Sequence, residues 1–140
     1  LGNRTYTEQN VVTNGESITD SIDKLDIDLS DKANKVQENW ITATMQGSWV
    51  AYGTGREAKY FKDEFGVVRF QGLIKYGVSG TIAFTLPEGY RPSTAMNFIV
   101  ACTGEGVITA KISVNSNGTV VIHFGTVGEV YLDAVNFKAG

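Results

Sequence analysis

From Ser17 onward, the apolar residues Ile18, Ile22, Leu25, Leu29 and Val36 recur at intervals of 4, 3, 4 and 7. This is the spacing of an a/d heptad seam, with Ile22, Leu29 and Val36 at a and Ile18 and Leu25 at d. After Trp40 the rhythm changes. Runs of four to ten residues rich in Val, Ile, Thr, Phe and Tyr alternate with glycines, the pattern of short strands and tight turns. Nine such runs are predicted as strands: 41–45, 48–52, 58–61, 67–76, 81–86, 97–102, 107–114, 119–124 and 129–137. In the fourth run, Val68, Phe70, Gly72, Ile74 and Tyr76 share one face of a continuous strand. Asn115-Ser116-Asn117-Gly118 predicts a hairpin, with Gly118 supplying a positive φ.

Helix starts are signalled twice, at Thr5 with Glu8 and at Ser17 with Asp20, each a hydroxyl followed three residues on by a carboxylate. Thr13-Asn14-Gly15 reads as the turn between the two helices. Asp20, Asp23 and Asp31 fall at outer heptad positions, and Asp26 and Asp28 flank the seam, as on a solvated coiled-coil surface. A calcium loop needs a glycine at its sixth position and a glutamate at its twelfth, and this run of acids has neither. Lys32 at a d position and Ile27 on the outer face depart from the pattern. A stripe this narrow cannot hold one helix in water by itself. It therefore predicts an oligomeric seam rather than a helix lying on its own domain.

Composition sharpens the boundary. Residues 1–40 carry two glycines and two aromatics, with four basic against eight acidic side chains, a net of −4. Residues 41–140 hold 14 glycines and 13 aromatics at a net of +1. The predicted organisation is an α+β chain: a helical coiled-coil stem over 1–40, followed by an antiparallel β-sandwich, jelly-roll-like, over 41–140. Net charge of −3 for the whole chain argues against clamping of nucleic-acid phosphates. No apolar run reaches the length of a membrane span, so membrane insertion is not expected. One cysteine and one histidine cannot build a structural zinc site.

No catalytic, cofactor-binding or metal-binding residues are expected. His123 has no Ser, Cys or acid at motif spacing and reads as a packed or interface-facing strand residue. Cys102, in an apolar strand, reads as a buried small hydrophobe. Glu57, Asp63, Glu64 and Glu88 include no ordered carboxylate pair of a glycosidase, and Gly53-Thr54-Gly55-Arg56 is a turn rather than a dinucleotide loop. The remaining candidates are aromatic. Trp49, Tyr52, Tyr60 and Tyr90 flank turns, with Arg56 and Lys59 near in sequence, and are candidate glycan contacts; the alternative for each is packing in the core or at an oligomer axis.

Three stretches carry a family likeness: Tyr60-Phe61-Lys62-Asp63-Glu64-Phe65-Gly66-Val67-Val68 with Gly72-Leu73-Ile74, then Thr85-Leu86-Pro87-Glu88-Gly89-Tyr90-Arg91-Pro92, and Val130-Tyr131-Leu132-Asp133-Ala134-Val135-Asn136-Phe137. On these, the β domain resembles the C-terminal domains of bacteriophage fibre and tail receptor-binding proteins, although Ala134 stands where such domains often carry Gly. The stretch from Arg4 to Asn10 with that from Glu16 to Asp26 resembles a helix-turn-helix repeat of phage head fibres. The resemblance implies a noncatalytic homotrimeric fibre on the virion surface, mounted on head or tail, whose knob helps the virion adhere to a bacterial cell-surface glycan. It also implies a longer parent chain, with this one beginning at Leu1 after an attachment region for capsid or tail. A purely architectural decoration, and a trimerisation or carbohydrate-binding module of a glycan-cleaving tail enzyme, are the alternatives.

Overall fold

The computed structural model describes residues 17–33, 37–104, 106–124 and 128–140. The chain divides into two compact units, 1–36 and 37–140. In the first, helix α1 (Ile18–Ala33) begins where the sequence signals it. Ser17 Oγ accepts from the Asp20 N–H at 3.1 Å and donates to the Asp20 carboxylate at 2.7 Å, closing the cap. Ile22, Leu25 and Leu29 are more than half exposed, Ile27 is exposed as well, and Ile18 is half-buried. Val36 and the helix expected from Thr5 lie outside the described residues. Within the stem expected over 1–40, α1 spans Ile18–Ala33, and residues 37–40 are irregular and belong to the second unit. Among the described residues the chain is thus mostly β, with one helix.

Among the described residues the second unit contains eleven strands: β1 (Ile41–Thr42), β2 (Val50–Ala51), β3 (Lys59–Lys62), β4 (Val67–Gln71), β5 (Leu73–Lys75), β6 (Thr81–Thr85), β7 (Met96–Gly104), β8 (Gly106–Val114), β9 (Thr119–His123), β10 (Val130–Tyr131) and β11 (Asn136–Lys138). They form two antiparallel sheets, β1-β3-β4-β11 and β2-β5-β10-β7-β8-β9-β6. The sheets share one core, as in a sandwich. Phe70 of the small sheet meets Phe84 of the large one with ring centroids 5.3 Å apart, and Phe137 meets Phe98 at 6.3 Å. Val68, Ile74, Leu86, Ile112, Ile122, Val130 and Leu132 are fully buried around them. The hairpin at Asn115–Gly118 forms as its residues predict, with Gly118 at φ 89° and its N–H on the Asn115 carbonyl at 2.8 Å.

Two predicted strands are each broken into two. The run 67–76 bends at Gly72, φ 126°, so β4 lies in the small sheet and β5 in the large one. The bend resets which face points inward: Leu73 and Ile74 are both buried, while Tyr76, expected beside Val68 and Phe70, is exposed at φ 64°. The run 129–137 breaks at a turn in which the Val135 N–H bonds the Leu132 carbonyl at 3.0 Å, sending β10 and β11 to opposite sheets. The two breaks are tied together. Asp133 Oδ1 accepts from the Gly72 N–H at 2.9 Å, and the Leu132 N–H bonds the Gly72 carbonyl at 2.9 Å.

A side chain at residue 72 has no room, since its Cβ would lie 2.4 Å from the Glu57 carbonyl oxygen, and the backbone angle is one that L residues avoid. Gly72→Ala is therefore expected to lower unfolding stability by at least about 3 kcal/mol in urea titrations. Gly53→Ala, where an added Cβ meets nothing within 4 Å, should change it by less than about 0.5 kcal/mol.

Candidate functional site

The four aromatics singled out from the sequence separate by environment. Trp49 is 2% exposed. Its indole N–H donates to Thr81 Oγ1 at 3.0 Å, its ring stands edge-on to Phe124, and an added Cβ at Gly77 would lie 1.8 Å from it. Tyr60 is also a core residue, on β3, with its ring edge-on to Tyr90 at 5.2 Å. Tyr90 is half-buried and its hydroxyl donates to Glu38 Oε2 at 2.8 Å, while Glu38 Oε1 accepts the Lys62 N–H. Lys62 Nζ lies 5.0 Å from the Tyr90 ring and donates to the Gly89 carbonyl. Burial, then the Glu38 carboxylate, pushes the Tyr90 phenol up to about 12.

The Leu86–Pro92 stretch around Tyr90 has a structural task. Arg91 Nε donates to the Leu86 carbonyl at 2.9 Å, the Leu86 N–H bonds the Gly118 carbonyl at 2.8 Å, and the Gly140 N–H bonds the Arg91 carbonyl at 2.8 Å. The run thus ties the hairpin and residue 140 to one loop.

Tyr52 keeps an exposed ring. Lys75 Nζ sits 4.7 Å from it and 4.8 Å from the ring of Tyr76, so the ammonium bridges two tyrosines at the mouth of a cleft of about 360 Å³ that Glu129 also lines. A second cleft, of about 250 Å³, opens on the outer face of the small sheet and is lined by Trp40, Arg69, Gln71, Asp133 and Asn136. The composition of the sequence places Trp40 at the end of the stem and does not reveal this cleft. Its signal was the composition boundary itself, where an aromatic stands at the entry to the first strand.

The other candidates have local roles. Glu57 accepts from the Gly55 N–H at 3.0 Å and pairs with Lys59 at 3.4 Å; the Gly55 bond, first among its surroundings, holds its carboxyl below the usual range. Asp63 accepts from the Phe65 and Val67 N–H groups and faces Arg69 at 3.7 Å, closing the turn between β3 and β4. Glu64 and Glu88 are exposed, and Arg56 is exposed in the loop before β3. Cys102 is buried, and burial, then Glu129, pushes its thiol up. His123 is half-buried on β9. Among the described residues no group of three His, Cys, Asp or Glu side chains is placed to hold a metal ion, and no helix is long and apolar enough to cross a membrane.

No family model matches the chain, and no curated protein matches it. Among solved structures it is similar to the crystal structure of the receptor binding protein (gp15) of Listeria phage PSA, with a TM-score of 0.64 and 22% identity over 89% of this chain and 81% of that one. The two share a fold.

The Tyr90 phenol makes a prediction in alkali. Its proton is held to about 12 in the folded chain but leaves near 10 in the unfolded one, so its contribution is fully present below pH 10 and is lost as pH rises towards 12. Tyr90→Phe should flatten the fall in stability between pH 10 and 12, read by urea midpoints at fixed pH. An unchanged slope would show that the Tyr90 to Glu38 bond does not hold this proton.

Proposed function

We propose that this chain is a noncatalytic, homotrimeric bacteriophage fibre protein whose β knob attaches the virion to the surface of a bacterial cell. The observation that carries the reading is the shared fold with a phage receptor binding protein over 89% of the chain. The exposed line of Ile22, Leu25 and Leu29 on α1 supports the trimer. Each such side chain contributes about 1.5 to 3 kcal/mol once removed from water, a gain open to a helix that shares its stripe with siblings. Three knobs on one stem also turn weak single-site binding into firm adhesion, because the second and third contacts form at high effective concentration.

Light scattering at micromolar concentration should give three times the 15.2 kDa chain mass. The double variant Leu25→Asp, Leu29→Asp should give the single-chain mass with an unchanged β spectrum, and should lose adsorption to susceptible cells by about a hundredfold. A single-chain mass for the unaltered protein overturns the trimer, and equal adsorption to susceptible and resistant cells overturns attachment in favour of an architectural decoration.

A further inference from the structure

The outer face of the small sheet carries a row of three residues across β3, β4 and β11: Phe61 is paired with Arg69, and Arg69 with Asn136. Gln71 lies two residues along β4 on the same face. Trp40, just ahead of β1, stands edge-on to Phe61 with centroids 4.4 Å apart and keeps 43% of its surface exposed. Asp133 closes the far side, where its bond to the Gly72 N–H fixes the carboxylate. The resulting cleft has an exposed indole at one edge and, along its lining, a guanidinium, two amides and a carboxylate. These are the donors and acceptors that paired hydroxyls on a sugar ring require, beside the flat apolar surface that its C–H face requires.

We propose that this cleft binds one neutral sugar ring of a surface polysaccharide. This deepens the attachment reading and rests on it. The size supports a single ring, since about 250 Å³ lies just below the range of sites for drug-sized ligands. The charge supports neutrality. Arg69 faces Asp63 at 3.7 Å and shares the cleft with Asp133, and Lys59, on the neighbouring row, is paired with Glu57 at 3.4 Å. No net positive charge is left to favour a phosphate or carboxylate. The Tyr52 cleft is a weaker candidate, because Lys75 already occupies the space at both of its tyrosine rings.

Of the two tryptophans, Trp49 is buried and Trp40 is exposed, so acrylamide quenching of the intact protein reports on Trp40. The probes are glucose, galactose, rhamnose, N-acetylglucosamine and N-acetylgalactosamine at millimolar concentration, with glycerol phosphate as the charged comparison. At least one neutral sugar should shield Trp40 saturably, while glycerol phosphate should not. Arg69→Ala and Asn136→Ala, both on the outer face, should each weaken that sugar about fivefold or more with an unchanged melting temperature, and Tyr52→Phe should leave it unchanged. Shielding by glycerol phosphate alone, by no probe, or equally in Arg69→Ala overturns the proposal. Adsorption to susceptible cells is scored separately: adsorption without sugar shielding overturns this site and leaves attachment standing, and shielding without adsorption does the reverse.

Discussion

Where β4 passes into β5, the chain turns at Gly72 with a backbone angle that side chains do not tolerate, and it does so against the Glu57 carbonyl. The Asp133 carboxylate accepts from the Gly72 N–H and the Leu132 N–H donates to the Gly72 carbonyl, so both polar groups of that turn are paired. One glycine and one carboxylate thereby direct two separate stretches of chain from one sheet to the other. A lost hydrogen bond at a buried backbone group costs about 1 to 3 kcal/mol.

The same corner sets the outer face. Because both stretches change sheet at this corner, β4 pairs with β11 in the small sheet as β5 pairs with β10 in the large one; Arg69 and Asn136 are thereby in register, and the Asp133 that fixes Gly72 also walls the cleft beside them. Residues 37–40 complete it from the other side. Glu38 is held by the Tyr90 hydroxyl and the Lys62 N–H, which fixes the approach of the neighbouring Trp40 to Phe61. Fold and cleft thus draw on the same few polar contacts.

Much of this was legible in the sequence because it is local. The Ser17 cap, the start of α1 and the Asn115–Gly118 hairpin follow from residues adjacent in the chain, and the structure carries all three. The corner at Gly72 did not follow, since period-two alternation treats a glycine within a strand as one more position; an isolated glycine there also signals a bend or a close backbone approach. The aromatics illustrate the same limit. Trp49, Tyr52, Tyr60 and Tyr90 all flank turns, yet burial ranges from the enclosed Trp49 to the exposed Tyr52, because cross-strand neighbours far apart in the chain decide it. Composition places Trp40 in the stem, because it cannot register that Glu38 and Trp40 are held by residues more than twenty positions away.

Hydrogen–deuterium exchange on the intact protein, with and without cell-wall polysaccharide purified from a susceptible host, tests most directly whether the outer face of the small sheet meets the cell. The account predicts slowed exchange confined to residues 38–42, 67–72 and 133–137, with β7, β8 and β9 unchanged. Protection centred on β5 and Tyr52, or no protection at saturating polysaccharide, would contradict it.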